Sequence, residues 1–188
     1  MPSWAGRGFV AGNIVMRAKM LLAAVLAAVL SSLTLAPKPA LASGDVVAVN
    51  YNYPAGTIVV RTGERRLYLM VGSGQAIRYP VGVGRIGMQW SGSATIDGKY
   101  IEPAWEAPAS IRRDYSRLPR VIPGGSPQNP MGVAAMTLSG GGQYAIHGTN
   151  DEGSIGRFVS HGCIRMHNAD ITDLYNRVSV GTPVVVTR

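Results

Sequence analysis

The stretch IHGTNDEGSIGRFVSHGCIRM, residues 146–166, contains the chain's only cysteine, Cys163, and two of its three histidines, His147 and His161; the third, His167, follows at once. A lone cysteine cannot form an internal disulfide, so Cys163 is a buried small apolar residue, an intermolecular link or a reactive thiol. Its neighbours favour the third reading. Ser160-His161-Gly162 places polar residues and a glycine beside the thiol, a composition that suits a tight turn presenting a nucleophile better than a core strand. The thiolate is the reactive species, and a nearby imidazole generates it by taking the proton. His161 lies two residues from Cys163 and on an extended strand would point to the opposite face. His147 lies sixteen residues upstream, at the end of the strand-like QYAI, and a return of the chain to the same sheet edge would bring it against the thiol. Zinc is the rival chemistry, since cysteine and histidines form a ligand set. Yet Cys163, His161 and His167 lack the usual paired spacing, and no second cysteine exists.

The elements that must position these groups read as mostly β. GTIVVRT (56–62), RRLYLMVG (65–72) and QAIRYPVGVG (75–84) are rich in β-branched and aromatic residues and separated by turn signals, which predicts an antiparallel meander. GVAAMTL, GQYAIHG and TPVVVTR predict further strands. One helix is expected in HNADITDLYNRVSVG, with Asn168 as N-cap, Asp170 in the first turn and Ile171, Leu174, Tyr175 and Val178 on one apolar face. Residues 85–130 show no clean period and are expected to be a long irregular segment, a lid or binding wall. It carries Trp90, Trp105, Tyr100 and a cluster of arginines, Arg112, Arg113, Arg117 and Arg120.

The beginning of the chain reads as a secretory signal peptide over residues 1–42. Arg7, Arg17 and Lys19 precede an apolar core, MLLAAVLAAVLSSLTLA, and Ala40-Leu41-Ala42 offers a cleavage site before Ser43, with Met16 and Met20 as alternative starts. Retention of that core as an anchor is the competing reading, for which it is short. Residues 43–188 make one domain of 146 residues with 14 Lys and Arg against 10 Asp and Glu, a net charge of +4. A mildly cationic exported protein suits an anionic polymer, and no basic run interleaved with aromatics points to nucleic acid.

The combination IHGT…SHGCIRM closely resembles the signature of the L,D-transpeptidase (YkuD-like) catalytic domain, in its single-domain periplasmic branch. The opening strands, the Asn129-Pro130-Met131-Gly132 element and the closing RVSVGTPVVV extend the resemblance over residues 56–186. It implies a mainly β fold, a β-sandwich of mixed sheets with a few short helices. It also implies Cys163 as nucleophile and His147 as its base, oriented by the carbonyl of Gly148 in place of an acid. Asp151 and Glu152 remain alternative orienters. Backbone N–H groups of Gly162 and Cys163 would form an oxyanion hole, with His161 and Ser160 shaping the turn. Arg165 would hold a substrate carboxylate or, alternatively, pair with Asp170 or Asp173, and His167 would start the helix. The implied reaction is acyl transfer on peptidoglycan stem peptides without metal or other cofactor, in the periplasm or at the cell wall. Acceptors would be another stem, an outer-membrane protein or a free D-amino acid, and carbapenem-type compounds would inhibit. Water as acceptor would make a carboxypeptidase, and an idle wall-peptide-binding domain is the non-enzymatic alternative.

Overall fold

A computed structural model describes residues 44–50, 52–115, 117–140 and 144–188; the expected leader lies outside them. Among the described residues no helix is long and apolar enough to cross a membrane. The strands are β1 (Asp45–Ala48), β2 (Ile58–Arg61), β3 (Arg66–Gly72), β4 (Gln75–Pro80), β5 (Val83–Gly84), β6 (Gly92–Ile101), β7 (Trp105–Glu106), β8 (Val121–Ile122), β9 (Ala134–Leu138), β10 (Ala145–His147), β11 (Phe158–Ser160), β12 (Ile164–Arg165) and β13 (Pro183–Thr187). The helices are α1 (Ala109–Asp114) and α2 (Asn168–Arg177), with one 3-10 turn at Glu152–Ser154. The chain is thus mainly β, with mixed sheets and few short helices, as expected.

Nine strands form one sheet in the order β1-β4-β3-β2-β13-β6-β9-β10-β12. The predicted meander is present, as β2, β3 and β4 pair antiparallel in sequence. The closing strand β13 inserts beside β2 in parallel and against β6 antiparallel. Burial on both faces explains the unbroken apolar composition of β2 and its neighbours. Ile58 and Val60 point to the main core, whereas Val59 joins Tyr68, Met70 and Ala76 in a second cluster covered by Val47, Val49 and Tyr53.

The expectation of an irregular stretch from 85 to 130 is corrected: it contains β6, the longest described strand. Gly92–Thr95 pair with β13, and after a bulge between Ile96 and Gly98 the strand pairs with β9. Its residues gave no alternating signal because Ile96 and Gly98 are its only fully buried positions. Strand β6 thereby joins the two halves of the sheet. Both halves and α2 contribute to one core, from Ile58, Leu67 and Tyr79 on one side to Met136, Ile146 and Ile164 on the other, with Ile171 and Leu174 from the helix.

Helix α2 forms where its apolar spacing predicts, but it is capped differently. His167 occupies the N-cap, and Asn168 is the first helical residue. The Asn168 carboxamide serves other groups: its Oδ1 accepts from Thr149 N (3.1 Å) and Val133 N (3.3 Å), and its Nδ2 donates to the Thr149 carbonyl (2.8 Å). The Glu152 carboxylate accepts the Asn168 N–H instead, at 3.2 Å, and also bonds the His167 ring, placing negative charge at the helix start. At the other end Lys99 Nζ donates to the carbonyls of Tyr175 (2.7 Å) and Val178 (2.6 Å) and lies 4.1 Å from the Tyr175 ring centroid. A cation there satisfies terminal carbonyls that the helix leaves open.

Candidate active site

The short strands β10 and β12 bring the distant residues together. They pair in parallel with Ile146 opposite Ile164 and His147 opposite Arg165. Side chains alternate along a strand, so Ile146, Ile164 and Met166 enter the core while Ala145, His147, Cys163 and Arg165 share the other face. Cys163 precedes Arg165 by two residues and is therefore the diagonal neighbour of His147. Both line a cleft of about 970 Å³.

The turn carrying Cys163 is built from its own polar atoms. Ser160 Oγ donates to the Cys163 carbonyl at 2.6 Å and accepts from Gly162 N–H at 3.1 Å. Gly162 has φ +118°, a region open essentially to glycine, and a Cβ there would lie 2.3 Å from Cε1 of Tyr144. One sequence expectation changes here, although the Gly162 N–H does donate to Ser160 Oγ. His161, expected on the face opposite Cys163, lines the same cleft, because residues 161–163 form a turn rather than extended strand.

His147 is buried, and its Nδ1 lies 2.7 Å from the carbonyl oxygen of Gly148. A carbonyl only accepts, so Nδ1 carries the proton and the neutral ring keeps its basic lone pair on Nε2. Burial, reinforced by the Arg165 guanidinium, holds the imidazole pKa down at about 4, against the opposing pull of the Gly148 and Pro130 carbonyls. Burial likewise pushes the part-buried Cys163 thiol up, opposed by a bond to the Ala145 carbonyl and by Arg165. The resting pair at neutral pH is thus a thiol beside a neutral base, with Arg165 supplying the cation that favours negative charge on sulfur.

Other expected residues find different partners. Glu152 serves α2 and not His147, and the Asp151 N–H bonds Thr149 Oγ1 at 3.0 Å. Asp173 takes Arg177 and the Tyr79 hydroxyl, while Arg165 lines the cleft. Among the described residues no group of three or more His, Cys, Asp or Glu side chains is placed to share a metal ion.

Part of the 85–130 segment does wall the cleft, through Trp105, Ala107, Pro108, Ile111 and Arg112. These belong to a flap, in which β7 and β8 pair antiparallel and α1 lies between them. Arg112 bonds back to the Ala107 carbonyl, and Arg120 pairs with Glu106 on the surface at 3.1 Å. Tyr100 is half exposed on β6 and is not among the residues that line the cleft.

Sequence reasoning missed the role of Asn129. It is buried, and its Nδ2 donates to the carbonyls of Pro103 (2.8 Å) and Pro123 (3.0 Å), one on each side of the flap base. Its Oδ1 accepts from Met131 N at 2.9 Å. The signal was the Asn-Pro pair, a turn former with a side chain able to bond nearby backbone.

The family model of the L,D-transpeptidase catalytic domain (YkuD) matches residues 55–186. The probable L,D-transpeptidase YbiS of Escherichia coli strain K12 is 40% identical over 136 residues, covering 68% of this chain and 43% of its own length. The putative L,D-transpeptidase YkuD of Bacillus subtilis strain 168 is 36% identical over 131 residues, covering 70% of this chain and 65% of its own. The chain thus spans less than half the length of the first of these relatives. In fold it resembles the crystal structure of L,D-transpeptidase 3 from Mycobacterium tuberculosis, with a TM-score of 0.55, 19% identity and coverage of 70% and 60% of the two chains. It also resembles the ertapenem-acylated catalytic domain of the Enterococcus faecium L,D-transpeptidase, with a TM-score of 0.52, 18% identity and coverage of 70% and 95%. With its fold, its cleft and a family match that runs through both strands of the site, this chain belongs to the L,D-transpeptidase catalytic-domain family.

Proposed function

We propose that the protein is an exported, cysteine-dependent L,D-transpeptidase that acts on peptidoglycan stem peptides. The observation that carries this reading is the placement of Cys163 and His147 as diagonal neighbours on one face of β10 and β12, at the cleft, with His147 Nδ1 held on the Gly148 carbonyl. Nε2 of His147 takes the thiol proton as sulfur attacks the carbonyl of the L-centre diamino acid of a tetrapeptide stem. The C–S bond forms and a tetrahedral oxyanion develops. Its collapse breaks the C–N bond, and D-Ala leaves with the proton from His147. An acceptor amine then attacks the thioester and gives its proton to His147, the C–S bond breaks, and the released thiolate takes that proton back to restore the thiol and the neutral imidazole. The product is a 3→3 cross-link, or a protein tethered to the wall if the amine belongs to an outer-membrane protein. In this reading Arg165, which lines the same cleft, holds a stem carboxylate.

The test is intact-mass spectrometry after mixing with a carbapenem, followed by assay on a tetrapeptide stem with and without an amine acceptor. One covalent adduct is expected, absent in Cys163→Ser. His147→Ala is expected to slow acylation by about 10²–10⁴-fold. D-Ala release without cross-linking would make the protein a carboxypeptidase. Stem binding with neither adduct nor D-Ala would leave only a binding domain, and activity abolished by EDTA would bring back zinc. For export, the N-terminus of the protein recovered outside the cytoplasm is expected near Ser43, and a form retaining residues 20–36 would be anchored instead.

A further inference from the structure

Trp90 lies between β5 and β6, 72 residues before Gly162, and nothing in the reading above uses it. Its indole Nε1–H donates to the Gly162 carbonyl at 2.9 Å. Its ring stacks on Tyr144, with centroids 4.9 Å apart and planes 5° from parallel. Tyr144 in turn fills the space that any side chain at position 162 would occupy. Trp90 therefore grips the Cys163 turn twice, directly through its N–H and indirectly through the ring of Tyr144.

The direct bond has a consequence for the next atom along the chain. The Gly162 carbonyl and the Cys163 N–H belong to one planar peptide group, and in a trans peptide they point in opposite directions. Fixing the oxygen on the indole fixes the direction of the N–H. The neighbouring Gly162 N–H is already held by Ser160 Oγ at 3.1 Å. Ser160 and Trp90 together thus hold the two successive amide planes that lead into the nucleophile.

We infer that Trp90 is a positioning residue which, through its bond to the Gly162 carbonyl, aims the Cys163 N–H at the oxyanion formed when Cys163 attacks a carbonyl. This rests on the proposed role of Cys163 as acyl-transfer nucleophile. A hydrogen-bond donor stabilises an oxyanion only if it is directed at the developing charge beforehand. Rotation of this peptide group would lose that stabilisation while leaving the thiol and His147 in place.

The test separates two reactions of the only cysteine in the chain. Opening of a carbapenem ring by Cys163 passes through a tetrahedral oxyanion, whereas alkylation by iodoacetamide is a direct displacement that forms none. Trp90→Phe and Trp90→Tyr both keep a ring against Tyr144 and lose the indole N–H, so either folded variant suffices. Loss of an oxyanion donor outright costs about 10²–10³-fold, and loss of the bond that steers one is expected to slow acylation about 10-fold. The pH profile of alkylation and the concentration dependence of acylation are expected to match wild type. The Cys163 amide resonance in ¹⁵N spectra is expected to move. Acylation as fast as wild type, or an unmoved Cys163 amide, overturns the inference alone. Equal losses in acylation and alkylation also overturn it, by showing a general scaffold role. A wild-type protein that alkylates but never acylates overturns the functional reading, and this inference with it.

Discussion

Gly162→Ala tests the architecture of the nucleophile turn. The backbone at φ +118° is strained for any residue with a Cβ, at a cost of about 1–3 kcal/mol. The new methyl would also sit 2.3 Å from Cε1 and 2.9 Å from Cδ1 of Tyr144. The ring cannot yield freely, because it is stacked on Trp90. Overpacking of this kind adds about 1–3 kcal/mol. Gly156→Ala supplies the control, since Gly156 has φ +80° with nothing within 4 Å of its added Cβ and meets the backbone cost alone. Urea unfolding monitored by circular dichroism is expected to show Gly162→Ala less stable than Gly156→Ala by about 1–3 kcal/mol. A double-mutant cycle with Tyr144→Ala is expected to return part of the loss, with a coupling of at least about 0.5 kcal/mol. Equal destabilisation by the two alanines, together with no coupling to Tyr144, would refute the claim that the ring defines the turn.

The remaining predictions concern charge and the flap. Because burial lowers the His147 pKa from 6.5 to about 4, the unfolded chain binds the proton that the folded chain refuses between those values. Stability is therefore complete above about pH 6.5 and falls by about 3 kcal/mol as pH drops toward 4; His147→Gln should flatten the profile in that window, and an unchanged slope by denaturant titration would count against the buried neutral imidazole. Lys99→Met should destabilise the protein by on the order of 2 kcal/mol, through the loss of two charged bonds at the end of α2, and a change within about 0.5 kcal/mol in urea would show those bonds to be idle. Asn129→Ala should release the base of the flap at a cost of about 1–3 kcal/mol and open residues 103–129 to limited proteolysis; protection equal to wild type would place the flap's anchorage elsewhere.

Much of the fold was legible because its elements are periodic. The meander β2-β3-β4, the closing strand β13 and the apolar face of α2 all follow from side chains that alternate or recur every three to four residues. The clustering of Cys163 with histidines, and the glycine before it, likewise identified a candidate nucleophile and turn from residue types alone. Strand β6 was not legible. Its polar and glycine-rich composition reflects a strand with two fully buried positions, and what makes it a strand is pairing with β13 and β9, elements distant in sequence.

The geometry that joins Cys163 to His147 comes from tertiary structure. The residue types made His147 the candidate over His161, but sixteen residues apart they meet only if the chain returns to the same sheet edge. The parallel register of β10 and β12 puts both on one face, because a side-chain period of two lets register choose which residues meet. The same holds for Trp90, Tyr144 and Asn129, whose types are unremarkable along the chain and whose roles depend on what they touch. Sequence determined which residues are able to do chemistry, since that ability is a property of the side chain itself. Tertiary structure decided which of them act together, since distance and direction between residues far apart in the chain come from long-range pairing.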